Sequence, residues 1–119
     1  MCDLNTLERT IIKMGSPTSF IRKSDAVMKL DGNALPLGAL GELKPFVSQG
    51  KSEENETVLF LSDGVTDALS EKRIAEIVAT NSLNSLRGLC DEIIAQAKTA
   101  DPAVSDDMTA IASRIIRRI

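Results

Sequence analysis

Histidine, tryptophan and tyrosine are absent from the 119 residues, and phenylalanine occurs three times. Without histidine the chain cannot build a Ser-His-Asp or Cys-His catalytic arrangement, or a histidine-ligated metal site. Cysteine occurs only at Cys2 and Cys90, too few and too widely spaced for a disulfide framework, so a reducing, cytoplasmic setting is expected. Neither cysteine is followed by an arginine six residues on, as a cysteine-based phosphatase requires. Cys90 falls on the apolar face of a helical pattern, where a thiol serves as a small hydrophobe. Basic charge is also short: 14 Lys and Arg against 17 Asp and Glu give a net charge of −3. No basic face capable of neutralising phosphates is visible, so nucleic acid is not expected as a partner. No apolar run is long enough to cross a membrane, and the first residues lack the apolar core of a signal peptide. Any catalysis must therefore rest on carboxylates and what they bind.

The chain is 43% hydrophobic and 26% charged, the balance of one globular domain. Residues 7–14 are β-prone around Thr10, Ile11 and Ile12 and stop at Gly15-Ser16-Pro17. Residues 19–22 and 26–30 read as short strands joined by the hairpin signal Lys23-Ser24-Asp25. Leu35-Pro36-Leu37-Gly38 places Pro and Gly where a ladder needs donors, so it reads as irregular. Residues 43–48 are a candidate strand, and 49–56 (QGKSEENE) a polar loop with Glu53, Glu54 and Glu56 in water. The unbroken apolar run 57–61 (TVLFL) has the pattern of a strand buried on both faces.

Ser70 is placed to cap a helix through about Thr80 with Ile74, Ile77 and Val78 inward. A second helix runs from 81–82 to Lys98, with Leu83, Leu86, Leu89, Cys90, Ile93, Ile94 and Ala97 at three- and four-residue steps, and Asp101-Pro102 ends it. Residues 108–116 read as a last, central strand. Strands gathered before helices predict an α+β fold with a mainly antiparallel sheet.

Two acidic clusters remain, Asp63-Gly64 with Asp67 and Asp106-Asp107. The first leaves the most buried strand and the second enters the last one. If those strands are antiparallel neighbours, Asp63 and Asp106 meet at one sheet edge. Hard carboxylate oxygens converging without histidine or thiolate suit Mg²⁺ or Mn²⁺. The plainer reading of each stands beside this: Asp-Gly after a strand is ordinarily a turn, Asp106-Asp107 a solvated loop, and Asp67 a residue capping or flanking a short helix.

Four segments in order resemble the consecutive motifs of the bacterial sporulation stage II protein E phosphatases, within the wider metal-dependent protein phosphatases. They are Gly15-Ser16-Pro17-Thr18-Ser19-Phe20-Ile21, Leu35-Pro36-Leu37-Gly38, residues 59–68 (LFLSDGVTDA) and Ser105-Asp106-Asp107-Met108-Thr109. The resemblance spans residues 4–116. It implies a β-sandwich flanked by helices, of which this chain is the C-terminal half. By the same resemblance Asp63 and Asp106 are metal ligands for Mn²⁺ or Mg²⁺, with Asp107 and Gly64 adjacent as supporting positions. The family's reaction is hydrolysis of phosphoserine or phosphothreonine by a metal-activated water, and its usual substrate is a phosphorylated anti-anti-sigma factor.

Family domains are about twice this long, and their first half carries the bridging aspartates, for which nothing before Leu4 is a match. The chain is therefore expected to hold half of the metal cradle, with weak or no activity by itself and self-association through exposed sheet edges. The competing expectation is a non-catalytic binding module for a sigma-factor regulator or for the other half-domain. A phosphoacceptor receiver domain would need alternating strands and helices, which the early clustering of strands opposes.

Overall fold

The computed structural model describes residues 2–13, 17–23, 26–30, 46–52, 55–81, 85–101, 103 and 107–116. Six strands and three helices follow one another along these residues. They are β1 (Glu8–Lys13), β2 (Ser19–Lys23), β3 (Ala26–Leu30), β4 (Phe46–Lys51), β5 (Thr57–Leu61), α1 (Asp63–Ala68), α2 (Glu71–Thr80), α3 (Leu86–Ala100) and β6 (Ala110–Arg114). The predicted α+β architecture with antiparallel sheets is what forms. One sheet has the order β3-β2-β5-β6, and a two-stranded sheet pairs β1 with β4.

The larger sheet has two unlike faces because side chains alternate along each strand. Phe20, Leu59 and Ala112 lie side by side in register and face the helices. There Leu61, Val65, Leu69, Ile74, Ile77, Val78, Leu89, Ile93 and Ala97 complete the core. Val58, Phe60, Ser113 and Ile115 lie on the other face. Together with Arg9, Thr10 and Ile11 of β1 they line a cavity of about 230 Å³ between the sheets. The layers are thus helices, large sheet, small sheet.

The two longer helices, α2 and α3, follow from their caps and stripes. Ser70 accepts from the Arg73 N–H and opens α2, which buries Ile74, Ile77 and Val78 as expected. The Arg22 guanidinium of β2 closes the other end, donating to the Val78 carbonyl at 2.6 Å and the Asn81 carbonyl at 2.8 Å. A cation suits those unsatisfied carbonyls at a helix C-terminus. α3 buries Leu89, Ile93 and Ala97 and runs into Asp101. It starts at Leu86 under the cap of Ser85, later than the stripe alone suggested, because the Ser85 hydroxyl satisfies the Gly88 N–H. Leu83 lies outside the described residues, as do Leu35-Pro36-Leu37-Gly38 and the turn at 24–25.

Three expectations fail. The segment 49–56 is not all loop: Gln49, Gly50 and Lys51 continue β4, paired with Thr10, Arg9 and Glu8. Polar composition favours a loop only until a neighbouring strand offers ladder partners. Second, β5 is covered completely on the helix side alone. Thr57, Leu59 and Leu61 are buried, while Phe60 on the other face is 38% exposed. Third, β6 is not central: among the described residues it pairs with β5 only and forms an edge of the sheet. Its outward Ile111 is 58% exposed.

Candidate metal centre

The expected juxtaposition depends on β5 and β6 being antiparallel neighbours, and they are, from Thr57↔Arg114 to Leu61↔Ala110. The chain leaves β5 at Ser62 and turns at once into α1, so Asp63 is the first residue of that helix. On the opposing chain, Asp107, Met108 and Thr109 lead into β6. Three hydrogen bonds join the two segments. The Ser62 N–H donates to the Thr109 carbonyl at 3.0 Å. The Ser62 hydroxyl accepts from the Thr109 N–H at 2.8 Å and donates to the Asp107 carbonyl at 3.3 Å.

Asp63 and Asp107 are exposed at this end of the sheet. Gly64 and Val65 are buried beneath Asp63, and Met108 packs against the core, so the segments bearing both carboxylates are anchored from below. Thr66 adds a hydroxyl bond to the Asp63 carbonyl at 3.3 Å. Asp67, the other acidic residue of this stretch, lies within α1 and is exposed. Asp106 lies outside the described residues.

The donors gathered here are hard carboxylate oxygens without imidazole or thiolate, which fits Mg²⁺ or Mn²⁺ in kind. In number they fall short of the six oxygens such ions take. Among the described residues no group of three or more His, Cys, Asp or Glu converges.

At the opposite end of β5 the structure holds a charged cluster that sequence reasoning missed. Glu56, expected in water, is only 2% exposed. It forms an ion pair with Arg9 of β1, itself 7% exposed, and lies 3.9 Å from Lys23 of β2. The Arg9 guanidinium also donates to the Ser52 hydroxyl at 3.4 Å. One carboxylate thus ties the small sheet to the large one. The available signal was position: Glu56 directly precedes the most apolar strand, but the acidic run around it made it look solvated.

Residues 1–116 match the family described as Stage II sporulation protein E (SpoIIE). The chain is 27% identical over 121 residues, 95% of its length, to stage II sporulation protein E of Bacillus subtilis (strain 168). It spans 21% and 14% of the lengths of the curated relatives it matches. Its fold superposes on the manganese-presoaked phosphatase domain of SpoIIE from Bacillus subtilis with a TM-score of 0.83 at 20% identity, covering 100% of this chain and 56% of that one. It also superposes on the catalytic domain of the serine/threonine protein phosphatase PstP in complex with two manganese ions. There the TM-score is 0.68 at 14% identity, covering 92% of this chain and 54% of that one.

Proposed function

Because the chain belongs to the stage II sporulation protein E family, we propose that it supplies one part of the metal site of a serine/threonine protein phosphatase. The observation that carries this is the hydrogen-bonded junction of Ser62-Asp63-Gly64 with Asp107-Met108-Thr109 at one end of the β5–β6 pair. Asp63 and Asp106 are the metal ligands in this reading. Asp107 and Gly64 stand beside them, the first steering a ligand or a bound water, the second as the buried residue that follows Asp63 in α1. A bound Mn²⁺ or Mg²⁺ supplies polarisation of phosphoryl oxygens and a lowered pKa for a coordinated water. The protein's share is to hold carboxylates at fixed spacing on a rigid sheet end. The manganese in similar phosphatase structures supports the choice of cation.

The substrate class in this reading is phosphoserine or phosphothreonine in a regulatory protein of the anti-anti-sigma type, within sigma-factor control of sporulation. The setting is cytoplasmic, supported by the two free cysteines. Among the described residues no helix is long and apolar enough to cross a membrane. The similar domains are nearly twice as long as the part this chain covers, so the remaining ligands of a two-metal site belong to the other part.

The deciding experiment is Mn²⁺-dependent phosphate release from a phosphoserine protein. The chain alone is expected near background, and mixing with the remainder of a SpoIIE phosphatase domain restores turnover. Asp63→Asn and Asp106→Asn each abolish the restored activity, and Asp107→Asn reduces it less. Robust release by the chain alone, lost in Asp63→Asn, overturns the divided site. A non-catalytic binding role is the second reading, favoured by the apolar outer face on which Phe60 and Ile111 are 38% and 58% exposed.

A further inference from the structure

Ser62 directly follows the last residue in the register of β5 and β6, Leu61, and is the N-cap of α1. Facing residues of an antiparallel ladder commonly exchange two N–H···O=C bonds. The register Leu61↔Ala110 makes Ser62 and Thr109 the next pair, and the Ser62 N–H donates to the Thr109 carbonyl at 3.0 Å as the ladder requires. The return bond cannot go to the Ser62 carbonyl. That oxygen has turned into the helix, where it accepts from the N–H groups of Val65 at 3.1 Å and Thr66 at 3.4 Å.

The hydroxyl takes the carbonyl's place, accepting from the Thr109 N–H at 2.8 Å and reaching the Asp107 carbonyl at 3.3 Å. Serine at a helix N-cap ordinarily turns its hydroxyl onto its own helix, as Ser70 and Ser85 do here. Ser62 makes no such bond. Its oxygen is spent across the strands, so strand ends and helix begins at one residue without a break in pairing.

We propose that Ser62 is a positioning residue for the divalent-cation site, a role that rests on the reading of that site given above. Its hydroxyl fixes the spacing between the segment that starts at Asp63 and the one that ends in Asp107. Without it, among the described residues only the Ser62 N–H bond to Thr109 holds the two chain directions together beyond Leu61↔Ala110. The carboxylate-bearing backbones then part, and the cation is gripped less tightly. Threonine keeps the oxygen in reach; alanine removes it.

The test is paramagnetic broadening of amide signals in ¹⁵N–¹H spectra of the 119-residue chain titrated with MnCl₂, which registers weak binding as well as tight. In the unsubstituted chain the amides of Asp63, Gly64, Asp107 and Thr109 broaden together. Ser62→Ala is expected to need about tenfold more MnCl₂, the scale of losing a group that orients metal ligands, whereas Ser62→Thr retains the original dose. Ser70→Ala, which strips the cap of α2, leaves the dose unchanged. An unchanged dose in Ser62→Ala, or a Ser62→Thr as weak as Ser62→Ala, overturns the positioning role. Should Ser62→Ala unfold, as the spectrum itself reports, Ser62→Cys replaces it, with the same weakening expected and an unchanged dose again overturning the role. Asp63→Asn separates the two levels. Broadening that survives it, or that never appears locally in the unsubstituted chain, sinks the metal site and Ser62's role together. Broadening lost in Asp63→Asn but indifferent to Ser62→Ala sinks only the role of Ser62.

Discussion

Arg9 and Glu56 are the most deeply buried charged side chains among the described residues, and their pairing sets the clearest stability expectation. Breaking a buried pair by removing one partner leaves an uncompensated charge and costs about 3–5 kcal/mol, whereas replacing both by apolar groups is often neutral or stabilising. Glu56→Ala should therefore lower the urea-unfolding free energy by about that amount, and Arg9→Met with Glu56→Leu should recover most of it. Equal losses in the single and double variants would show instead that the loss does not come from an orphaned charge and that the pair stabilises the fold relative to apolar side chains. Cys90 gives a pH expectation. Burial pushes its thiol above the ordinary value of 9.0, Asp91 adds to the rise, and the nearby Ala112 N–H pulls it back in part. A raised folded-state pKa means that the contribution of the neutral thiol is complete below about pH 9 and is lost as pH rises through the folded value. At about pH 8 a thiol reagent should label exposed Cys2 first and half-buried Cys90 more slowly, because the thiolate is the reactive form. Equal labelling rates in the folded chain would contradict this.

The elements depend on local signals to different degrees. The Ser70 cap of α2 is a single hydroxyl bond to the Arg73 N–H at 3.2 Å, and Ser70→Ala should cost about 1 kcal/mol in thermal or urea unfolding. Leu59 is fully buried at the centre of β5 against the helices. Leu59→Ala should cost about 2–5 kcal/mol, lost transfer energy plus a cavity. Phe60, one residue on, faces the other way and is 38% exposed, so Phe60→Ala should cost clearly less. A reversed order in the same unfolding experiment would mean that the faces of β5 are misassigned. The Ser70 position was legible because a hydroxyl before an apolar 3–4 pattern has one local use. The extension of β4 to Lys51 was not, because its ladder partners Glu8 and Arg9 lie far away in sequence.

At the scale of the whole molecule, the helix side of the large sheet is filled, whereas apolar side chains on its other face and on the small sheet are left exposed. Ile12, Val47, Phe60 and Ile111 are 63%, 50%, 38% and 58% exposed. Apolar surface of this kind, next to a sheet edge, favours association. Light scattering is expected to show concentration-dependent self-association. Ile111→Lys should shift the population towards monomer while changing stability by less than about 0.5 kcal/mol, as is usual for exposed positions. A monodisperse monomer at high concentration would count against it. The same arrangement bears on function: the Asp63 end and the Glu56 end are opposite ends of β5, so Glu56→Ala should affect cation binding only through stability.

Sequence alone determined whatever depends on short-range pattern. The cap of α2, the stripes of α2 and α3, the β2–β3 pairing and the span of β5 all follow from periodicity and turn residues a few positions apart. The donor type open to the candidate site was legible too, since a chain without histidine whose acidic clusters leave its most apolar strand and enter its last one offers carboxylate oxygens, but only the resemblance to the phosphatase family favoured a cation site over ordinary turns. Which side of β5 is covered, that β6 lies at an edge, and that Glu56 is buried were decided only by tertiary packing. Each depends on which strands become neighbours, and one-dimensional periodicity carries no information about that. Ser62 spans both levels. The motif Ser-Asp-Gly is visible in the sequence, but that its hydroxyl replaces its own carbonyl in the ladder appears only once Thr109 and Asp107 are brought alongside it.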